Sequence, residues 1–502
     1  MVLRKLAGHT AIYGLSTIVG RLLNYLLVGL YTRVFETAAY GVVTELFSYI
    51  TFLNVIYAFG METAFFHFAH KYPERKKNVF SSAHFFILSI SGLITVLLLL
   101  SMNWIGQSLA YEDRLYLIQM VIGILLLDAL AIIPFAYLRF CEKPMRFAVV
   151  KLTNIAVNIG ANLLFLLLLP FIDQKWMTSL YQKEFGVGYI FLSNLLASGI
   201  TVLLLLKEWK AIFKLPKISS SMLKEMLLYA APLVIVGFAG MVNEALDRVM
   251  LKHLLPGEME WRMGQLGIYG ACYKLSIFMT LGIQAFRFGA EPLFFAQARA
   301  AGGQANYAKI LTYFTFVGGL VWLGVMLFLA ILKYFIGPEY HEGLKVVPIL
   351  LMANLLLGVY YNVSIWYKVT ANNSKGAAIA IAGAFLTFVV NYFGIPHYGY
   401  EASAWATLIC YGFMLVVSVW WGRYHFPIPY QWKKVLALLL LPVLLWLLEV
   451  WLDASIAWPV IVQYVFKFLL IMTYLWVFMR MENHNFLIIL RKISQRLKNN
   501  GA

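Results

Sequence analysis

The stretch YGVVTELFSYITFLNVIYAFGME, residues 40–62, decides the fold because the chain contains a second copy of its pattern. The second stretch, YGACYKLSIFMTLGIQAFRFGAE, occupies residues 269–291, which lie 229 positions further along. Both stretches begin with Tyr-Gly and end with Gly-x-Glu. Two further pairs of polar residues have the same offset: Asn162 with Asn391, and Arg139 with Lys368. The sequence therefore predicts two repeats, a construction that many secondary transporters use to build a central site.

The composition is that of a polytopic membrane protein. Of 502 residues, 62% are hydrophobic and only 13% are charged, and the mean hydropathy is +0.77. These values lie far outside those of soluble domains. We expect an all-α fold, because the apolar segments are too long and continuous for the alternating strands of a membrane barrel. The three cysteines are widely scattered, so neither a disulfide framework nor a metal site is expected.

Apolar runs of roughly 20 residues predict about fourteen transmembrane helices. The first seven are expected near residues 9–34, 40–68, 79–103, 113–139, 144–170, 185–207 and 221–253. The second seven are expected near residues 264–298, 306–332, 345–369, 375–393, 400–421, 433–452 and 458–480. The repeat pattern places six spans in each of two lobes, with a central cavity between the lobes and two extra spans at the end.

The domain organisation follows from these spans. The N-lobe, with spans one to six, is expected at residues 1–207, and the C-lobe, with spans seven to twelve, at residues 225–423. A basic linker at 208–224 joins the lobes, which is where a connection between domains belongs. Spans thirteen and fourteen occupy residues 424–480, and a basic cytoplasmic tail occupies residues 481–502.

The net charge of +17 is explained by orientation in a membrane. If the N-terminus is cytoplasmic, about 27 of the 40 Lys and Arg fall on the cytoplasmic side and about eight on the other. The positive-inside rule therefore predicts that both termini are cytoplasmic, and nucleic-acid binding is not needed to explain the charge. The basic tail is expected to rest on the anionic inner leaflet, which makes membrane lipids a partner.

Charged residues inside the predicted spans indicate where function resides, since each costs roughly 2.5–3.5 kcal/mol at mid-helix on insertion scales. One interpretation is a hydrated cavity, in which cations hold an anionic substrate and carboxylates tune the cations or bind a coupling ion. The other interpretation is that these charges only neutralise one another in lipid. They are Arg21, Glu45, Glu62, Asp128, Glu244, Asp247, Arg248, Lys274, Arg287, Glu291 and Lys467.

Substrate binding is predicted first for Arg21, which lies near the centre of span one and has no acidic residue within a turn. Asn24 lies on the same helical face and is included in the predicted site. Lys274 occupies in the second repeat the position that Glu45 occupies in the first. The sequence leaves two alternatives open for this pair: the two residues pair across the cavity, or Lys274 binds substrate.

Arg248 and Arg287 complete the predicted set of substrate-binding cations. Each has an acidic residue four positions away, so that Glu244 with Arg248 and Arg287 with Glu291 share a helical face. Two interpretations stay open for these pairs, because charge pairs in lipid also serve a purely structural role.

A gate or coupling role is predicted for the acidic residues Glu45, Glu62, Asp128, Glu244, Asp247 and Glu291. The repeated Glu62 and Glu291 each follow a glycine closely, which favours a helix kink or gate near the cytoplasmic mouth, or else a structural role. Asp128 is alone in span four and either binds a proton or Na⁺ or has an unseen partner such as a Tyr hydroxyl. Asn162 and Asn391 are expected to hydrogen-bond neighbouring helices.

Several motifs resemble a known family. They are GLSTIVGRLLN at residues 14–24, LYTRVF at 30–35, the Tyr40-Gly41 and Gly60-x-Glu62 pairs, and GYEASAWAT at 399–407. Together they resemble the polysaccharide flippases of the multidrug/oligosaccharidyl-lipid/polysaccharide exporter superfamily, and the resemblance covers essentially the whole chain. It implies alternating-access transport of a polyprenyl-diphosphate-linked oligosaccharide from the inner to the outer leaflet of the bacterial cytoplasmic membrane. Glycan-assembly enzymes are further partners that it implies.

Two alternative functions stay open within the same superfamily. Lipid II flippases are similar in span number, but the Na⁺ site implied by that resemblance needs acidic residues on spans seven, eleven and twelve. Span eleven here offers only Asn391 and span twelve only Thr407. A cation-coupled multidrug exporter more often has twelve spans. No cofactor and no catalytic residue are expected, and Na⁺, H⁺ and the membrane potential stay open as sources of coupling, since the sequence has no Walker-type phosphate loop.

An integral membrane glycosyltransferase or glycan polymerase is a third alternative, from a different class. Such an enzyme needs a catalytic acid or a long external loop to hold its sugar acceptor. Neither is recognisable in the sequence, so a transporter is favoured over an enzyme.

Overall fold

The computed structural model describes residues 2–171, 181–213, 219–297, 303–370, 372–456 and 458–482. All regular secondary structure in these ranges is helical. The predicted basic tail lies outside them, except for its first two residues. The all-α fold class predicted from the long apolar runs is confirmed.

Eleven α-helices come first in the chain. They are α1 (Val2–Val34), α2 (Thr37–Ala58), α3 (Met61–Lys71), α4 (Lys76–Leu100), α5 (Met102–Leu109), α6 (Leu115–Phe140), α7 (Pro144–Leu163), α8 (Gly188–Leu204), α9 (Leu206–Phe213), α10 (Ser220–Leu254) and α11 (Met259–Lys274). A π-helical turn, Leu164–Leu168, extends α7, and a 3₁₀ turn, Glu112–Arg114, precedes α6.

Nine α-helices follow. They are α12 (Ile277–Gln297), α13 (Gly303–Leu327), α14 (Leu329–Leu332), α15 (Val347–Val363), α16 (Ile365–Val369), α17 (Asn373–Tyr398), α18 (Tyr400–His425), α19 (Trp432–Ser455) and α20 (Val460–Met481). A 3₁₀ segment, Pro338–Val346, precedes α15.

Within the described residues, eleven helical segments are long and apolar enough to cross a membrane. A twelfth is counted if Met259–Lys274 and Ile277–Arg287, which are bent by 45°, form one broken span. Each of the fourteen predicted spans coincides with a helix, but two of these helices fall outside the count. One is α1, and the other is α8, which has only 17 residues. The number fourteen and the six-plus-six layout therefore stay predictions.

The chain forms two compact units. The first consists of Met1–Leu275, Ile336–Val346 and Ala377–Cys410. The second consists of Ser276–Phe335, Val347–Gly376 and Tyr411–Ala502. Each is described separately below, and the predicted division into an N-lobe, a linker, a C-lobe, two extra spans and a tail stays a prediction.

In the first unit, α2 and α11 pack face to face through the glycines of the duplicated Tyr-Gly motif. A Cβ atom on Gly41 would overlap the main-chain oxygen of Met263, and one on Gly270 would overlap the side chain of Thr44. Glycine at both positions lets the two helix backbones approach closely. The motif that predicts the repeat is therefore also the contact between the two equivalent helices.

The Gly-x-Glu end of the first copy interrupts the second predicted span. Helices α2 and α3 are separated by Phe59 and Gly60, whose φ angles are 47° and 63°. A positive φ is strained for phenylalanine and unstrained for glycine, so this glycine supports the break. The helix is therefore interrupted at this motif in the first repeat, and the gate or kink role predicted for Glu62 itself stays a prediction.

In the second unit, α13 packs against α15, α19 and α20. The rings of Phe316 and Phe478 stack, and the hydroxyl of Tyr474 donates to the main-chain oxygen of Phe316 at 3.2 Å. Lys467 on α20 lies 3.1 Å from the carboxylate of Glu449 on α19, and both side chains are largely buried. Lys467 therefore faces protein and is neutralised there, as an intramembrane charge requires.

Candidate functional site

The predicted cation Arg248 lies on α10 next to α11. Its guanidinium carbon is 4.2 Å from the centroid of the Tyr273 ring, a distance typical of a cation–π contact. One guanidinium nitrogen lies 3.5 Å from the carboxylate of Asp247 and donates to the main-chain oxygen of Glu244. Helix α10 therefore holds this guanidinium from two sides, over an aromatic ring.

The prediction that Glu244 is the ion-pair partner of Arg248 is wrong. Among the described side chains, the carboxylate paired with Arg248 is that of Asp247. Asp247 is fixed by the hydroxyl of Tyr269 at 2.5 Å and by the Arg248 amide at 2.8 Å. The carboxylate of Asp247 is thus held where the guanidinium reaches it, while the side chain of Glu244 stays exposed.

Lys274 is the last residue of α11 and follows Tyr273 directly. Its side chain is exposed, and it lies close enough to Arg248 and Glu244 to interact electrostatically with both. Two cations and one exposed carboxylate therefore share this part of the first unit. We call the residues Glu244, Asp247, Arg248, Tyr273 and Lys274 the α10–α11 cluster. Cations in such a cluster are able to hold phosphate oxygens through charge-assisted hydrogen bonds.

Glu45 has a different environment from the one predicted. It is fully buried, and the ammonium group of Lys252 lies 2.9 and 3.0 Å from its two carboxylate oxygens. The hydroxyls of Tyr49 and Tyr111 donate to the same carboxylate at 3.1 and 2.5 Å. The alternative in which Glu45 pairs with Lys274 is therefore wrong.

Lys252 is a buried cation that sequence reasoning missed. It is 2% exposed and also donates to the main-chain oxygen of Leu109 at 2.6 Å. Lys252 lies at the end of the predicted span 221–253, where lysines commonly reach the membrane surface. One signal in the sequence pointed to it: Glu244, Arg248 and Lys252 follow one another at intervals of four residues, so they share one face of α10.

Asn24 lies on α1, and its side chain is exposed. Its amide oxygen accepts a 3.2 Å hydrogen bond from Asn158 on α7. The amide of Asn162 donates in turn to the oxygen of Asn158 at 3.1 Å, and Tyr31 donates to Asn162 at 3.0 Å. A row of amides thus runs from the protein interior to Asn24. Arg21 is part of α1, but its side chain lies outside the described ones.

The prediction that the asparagines hydrogen-bond neighbouring helices is confirmed for Asn162 by this contact with Tyr31 of α1. It is also confirmed for Asn391 of α17, whose oxygen accepts from Ser403 of α18 at 2.8 Å. Both asparagines are fully buried. They therefore connect helices within the first unit.

Arg287 belongs to α12 in the second unit. Its guanidinium carbon lies 4.5 Å from the centroid of the Tyr361 ring on α15. The side chain of Glu291, the residue predicted to pair with it, lies outside the described side chains. The role predicted for this pair stays a prediction.

Two more predicted carboxylates have identified partners. Glu62 on α3 forms an ion pair with Arg139 on α6, and both side chains are partly exposed. Asp128 on α6 accepts a 2.7 Å hydrogen bond from the hydroxyl of Ser198 on α8. The hydroxyl partner considered for Asp128 is therefore present, and it comes from a serine.

Helices α10, α17 and α18 meet in a network of neutral polar groups. The amide oxygen of Asn243 accepts from the hydroxyl of Thr387 at 3.0 Å and from the thiol of Cys410 at 3.4 Å. Asn391 and Ser403 continue the network. In the part of the chain that the structure describes, no group of three or more His, Cys, Asp or Glu side chains is suited to a metal ion.

A family model described as "Polysaccharide biosynthesis protein" matches residues 6–289, which is more than half of the chain. The chain belongs to this family. The matched region contains the whole α10–α11 cluster and the Glu45–Lys252 pair. No curated protein sequence matches the chain.

Solved transporter structures share the fold of this member of the polysaccharide biosynthesis protein family. The structure titled "Lipid II flippase MurJ, inward closed conformation" has a TM-score of 0.71 at 13% identity, and the similarity covers 93% of this chain and 98% of that one. An inward-facing multidrug resistance MATE family transporter of the MOP superfamily has a TM-score of 0.60 at 15% identity, covering 84% and 95%. The resemblance to the exporter superfamily predicted from the motifs is confirmed.

A third similar structure comes from Pyrococcus furiosus and is titled as a MOP superfamily transporter in which a reversed polarity of the binding pocket suggests a different function. Its TM-score is 0.53 at 14% identity, covering 86% of this chain and 96% of that one. With its candidate spans and this shared fold, this family member is a multi-pass membrane protein with a transporter fold.

Proposed function

We propose that this protein is a flippase that moves a polyprenyl-diphosphate-linked oligosaccharide from the inner to the outer leaflet of the bacterial cytoplasmic membrane. The cargo serves the synthesis of a surface polysaccharide. Both termini of the flippase are cytoplasmic, and transport proceeds by alternating access. Membership of the polysaccharide biosynthesis family and the fold shared with flippases and exporters support this proposal.

The observation that carries the proposal is the α10–α11 cluster. Arg248 lies in a helix that is long and apolar enough to span a membrane, and the exposed Lys274 lies close to it, in a helix that counts as a span only together with the first part of α12. Charges at such depth are expensive unless they face protein or water. A diphosphate needs cations of this kind, since it cannot cross hydrocarbon unaided. Arg21 and Asn24 complete the proposed substrate site in the first unit, and Arg287 of the second unit stays a predicted substrate-binding residue.

Energy for the transport comes from the membrane potential or from an ion. An inside-negative potential favours outward movement of an anion by about 2.3 kcal/mol per charge for each 100 mV. Asp128, Glu62 and Glu291 are the proposed coupling or gating carboxylates.

Lipid II is the second candidate cargo. The similarity to the lipid II flippase MurJ over nearly the whole of both chains favours it. The same cations would hold its diphosphate, so the α10–α11 cluster does not distinguish the two cargoes. The family description favours the surface polysaccharide.

Proteoliposomes that contain the full-length protein test the proposal. A fluorescent polyprenyl-diphosphate oligosaccharide is placed in the bilayer, and its appearance in the opposite leaflet is followed with and without an imposed inside-negative potential. Wild type is compared with Arg21→Ala, Arg248→Ala and Lys274→Ala. Lys71→Ala is the control, because it also removes one positive charge, from an exposed residue that pairs with Glu225.

We expect transport by wild type and Lys71→Ala and a loss of transport in Arg21→Ala, Arg248→Ala and Lys274→Ala. Faster transport of fluorescent lipid II than of the oligosaccharide would replace the surface polysaccharide with the peptidoglycan precursor as cargo. If folded wild-type protein moves neither lipid but exports a cationic dye, the flippase proposal is wrong and the multidrug exporter takes its place.

A further inference from the structure

The first unit contains an apolar cavity of about 500 Å³ that the proposed transport mechanism does not use. It lies among α2, α4, α5, α6 and α10. Its volume falls in the range of ligand pockets, about 300–1,000 Å³. Representative wall residues are Leu53, Ile56, Leu98, Ile122, Phe238 and Val249.

Two polar groups on the wall of this cavity are already bonded elsewhere. The hydroxyl of Tyr49 donates to Glu45, and the main-chain oxygen of Leu109 accepts from Lys252. Beyond the exposed Ser108 hydroxyl at one end, a sugar or phosphate placed in the cavity would therefore lose its hydrogen bonds to water without replacing them. A hydrocarbon chain loses nothing by entering, because apolar cavities stay dry and accept apolar guests.

The depth of the cavity matches one leaflet. Its wall on α2 runs from Leu46 to Ile56, which is about 15 Å at the rise of an α-helix and half of a hydrocarbon core about 30 Å thick. Its end near Leu46 lies beside α5, which connects the candidate spans Lys77–Leu100 and Glu112–Phe140. Helix α5 is therefore at a membrane surface.

The wall residues on α5 suit the entrance of a lipid site. Trp104 is 70% exposed, and tryptophan is enriched at the level of lipid headgroups. Ser108, on the same short helix, is also exposed and lines the cavity. A lipid whose chain fills the cavity places its headgroup beside these two side chains.

We propose that this cavity binds one acyl chain of a membrane phospholipid from the leaflet on the α5 side. The chain covers the apolar face behind the Glu45–Lys252 pair and keeps water away from it. The proposal does not depend on the identity of the transported cargo.

Photocrosslinking of the full-length protein tests the proposal. The protein is placed in nanodiscs of phosphatidylethanolamine and phosphatidylglycerol that contain a phospholipid with a diazirine along one acyl chain, and crosslinked residues are mapped by mass spectrometry. We expect labels on the cavity residues Leu53, Ile122 and Val249. We expect these labels to be diluted less by unlabelled phospholipid than labels on Leu97, a lipid-facing residue of α4 that is 54% exposed.

Two matched variants test whether the cavity itself is responsible. Leu53→Trp fills the cavity, and Leu97→Trp adds the same bulk on the lipid-facing surface. We expect Leu53→Trp to lower the labelling of Ile122 and Val249 about tenfold, which corresponds to a loss of about 1.4 kcal/mol in the binding free energy of the acyl chain. We expect Leu97→Trp to leave this labelling unchanged. Elution as a single monodisperse species shows that each variant is folded.

Three results would overturn the proposal. The first is equal labelling and equal dilution at the cavity residues and Leu97, which indicates ordinary annular lipid. The second is unchanged labelling in folded Leu53→Trp. The third is displacement of the label by unlabelled polyprenyl phosphate at concentrations where phospholipid has no effect, which would assign the cavity to a prenyl chain.

Discussion

Glu45 and Lys274 occupy the same position in the two copies of the repeated motif, yet their environments are opposite. Glu45 is completely buried, and its carboxylate contacts Lys252, Tyr49 and Tyr111. Lys274 is exposed. In each copy, the charged residue comes four positions after the glycine of the Tyr-Gly pair. The same backbone position therefore carries a buried carboxylate with three hydrogen-bond partners in one repeat and an accessible charge in the other.

The difference shows that a charge inside a span has two distinct uses. A buried and fully bonded ion pair contributes to the structure. Removing one partner leaves the other charge buried without a counter-ion, which is costly. An exposed cation contributes little to stability and is available to a ligand. Stability and transport measurements on the same variants separate these two roles.

The largest effect is expected for Lys252→Met. This substitution leaves the carboxylate of Glu45 buried without its counter-ion, so the free energy of unfolding should fall by about 3–5 kcal/mol. Denaturant unfolding in detergent micelles measures the change. The double variant Glu45→Gln with Lys252→Met removes both charges and should recover most of the loss. If the free energy of unfolding of the single variant fell by less than about 1 kcal/mol, the pair would not be important for stability.

Lys274→Ala should give the opposite result. Transport should fall about tenfold to a hundredfold, because a hydrogen bond to a charged group contributes about 1.5–3 kcal/mol. The free energy of unfolding should change by less than about 0.5 kcal/mol, as for other exposed positions. Initial rates in proteoliposomes and denaturant unfolding check the two expectations. Loss of stability comparable to that of the Lys252 variant would show that Lys274 is structural.

Gly41→Ala tests the close contact between α2 and α11, the helices that carry Glu45 and Lys274. The added methyl group would overlap the main-chain oxygen of Met263, so α2 and α11 must separate, at a cost of about 1–3 kcal/mol. Gly240→Ala in α10 is the control, because a Cβ at Gly240 meets no atom within 4 Å. This control should be neutral or stabilising. Equal thermal midpoints for both variants would show that the contact is not close.

The smallest effect is expected for Glu62→Gln. Glu62 pairs with Arg139, but the side chains are 41% and 33% exposed, so water screens the interaction. Exposed ion pairs contribute about 0–1 kcal/mol, and unfolding should change by no more than that. The thermal midpoint in the same detergent measures it. A loss as large as that of Lys252→Met would show that exposure does not distinguish the two pairs.

Much of the fold was accessible to sequence reasoning, because long apolar runs have few alternatives to helices in a membrane. The break at Gly60 was also predictable, since a glycine within an apolar helix indicates a kink or a close contact. The number of spans was harder to predict, because α8 has only 17 residues, which is at the lower limit for a transmembrane helix.

The candidate site was only partly predictable. The charged residues were found because they stand out in apolar segments, but their partners were not. Lys252 pairs with Glu45 across 207 positions of sequence, a contact that local spacing does not reveal. Arg248 pairs with the adjacent Asp247 because Tyr269 fixes that carboxylate. Asn243 escaped notice because a neutral residue does not stand out in a search for charges.

The network around Asn243 has a consequence for experiments that vary acidity. The side chains of asparagine, threonine and serine do not gain or lose protons between pH 5 and pH 8, so the hydrogen bonds that join α10, α17 and α18 persist through this range. The pH dependence of transport therefore reports on other groups, while the hydrogen bonds among these three helices stay unchanged.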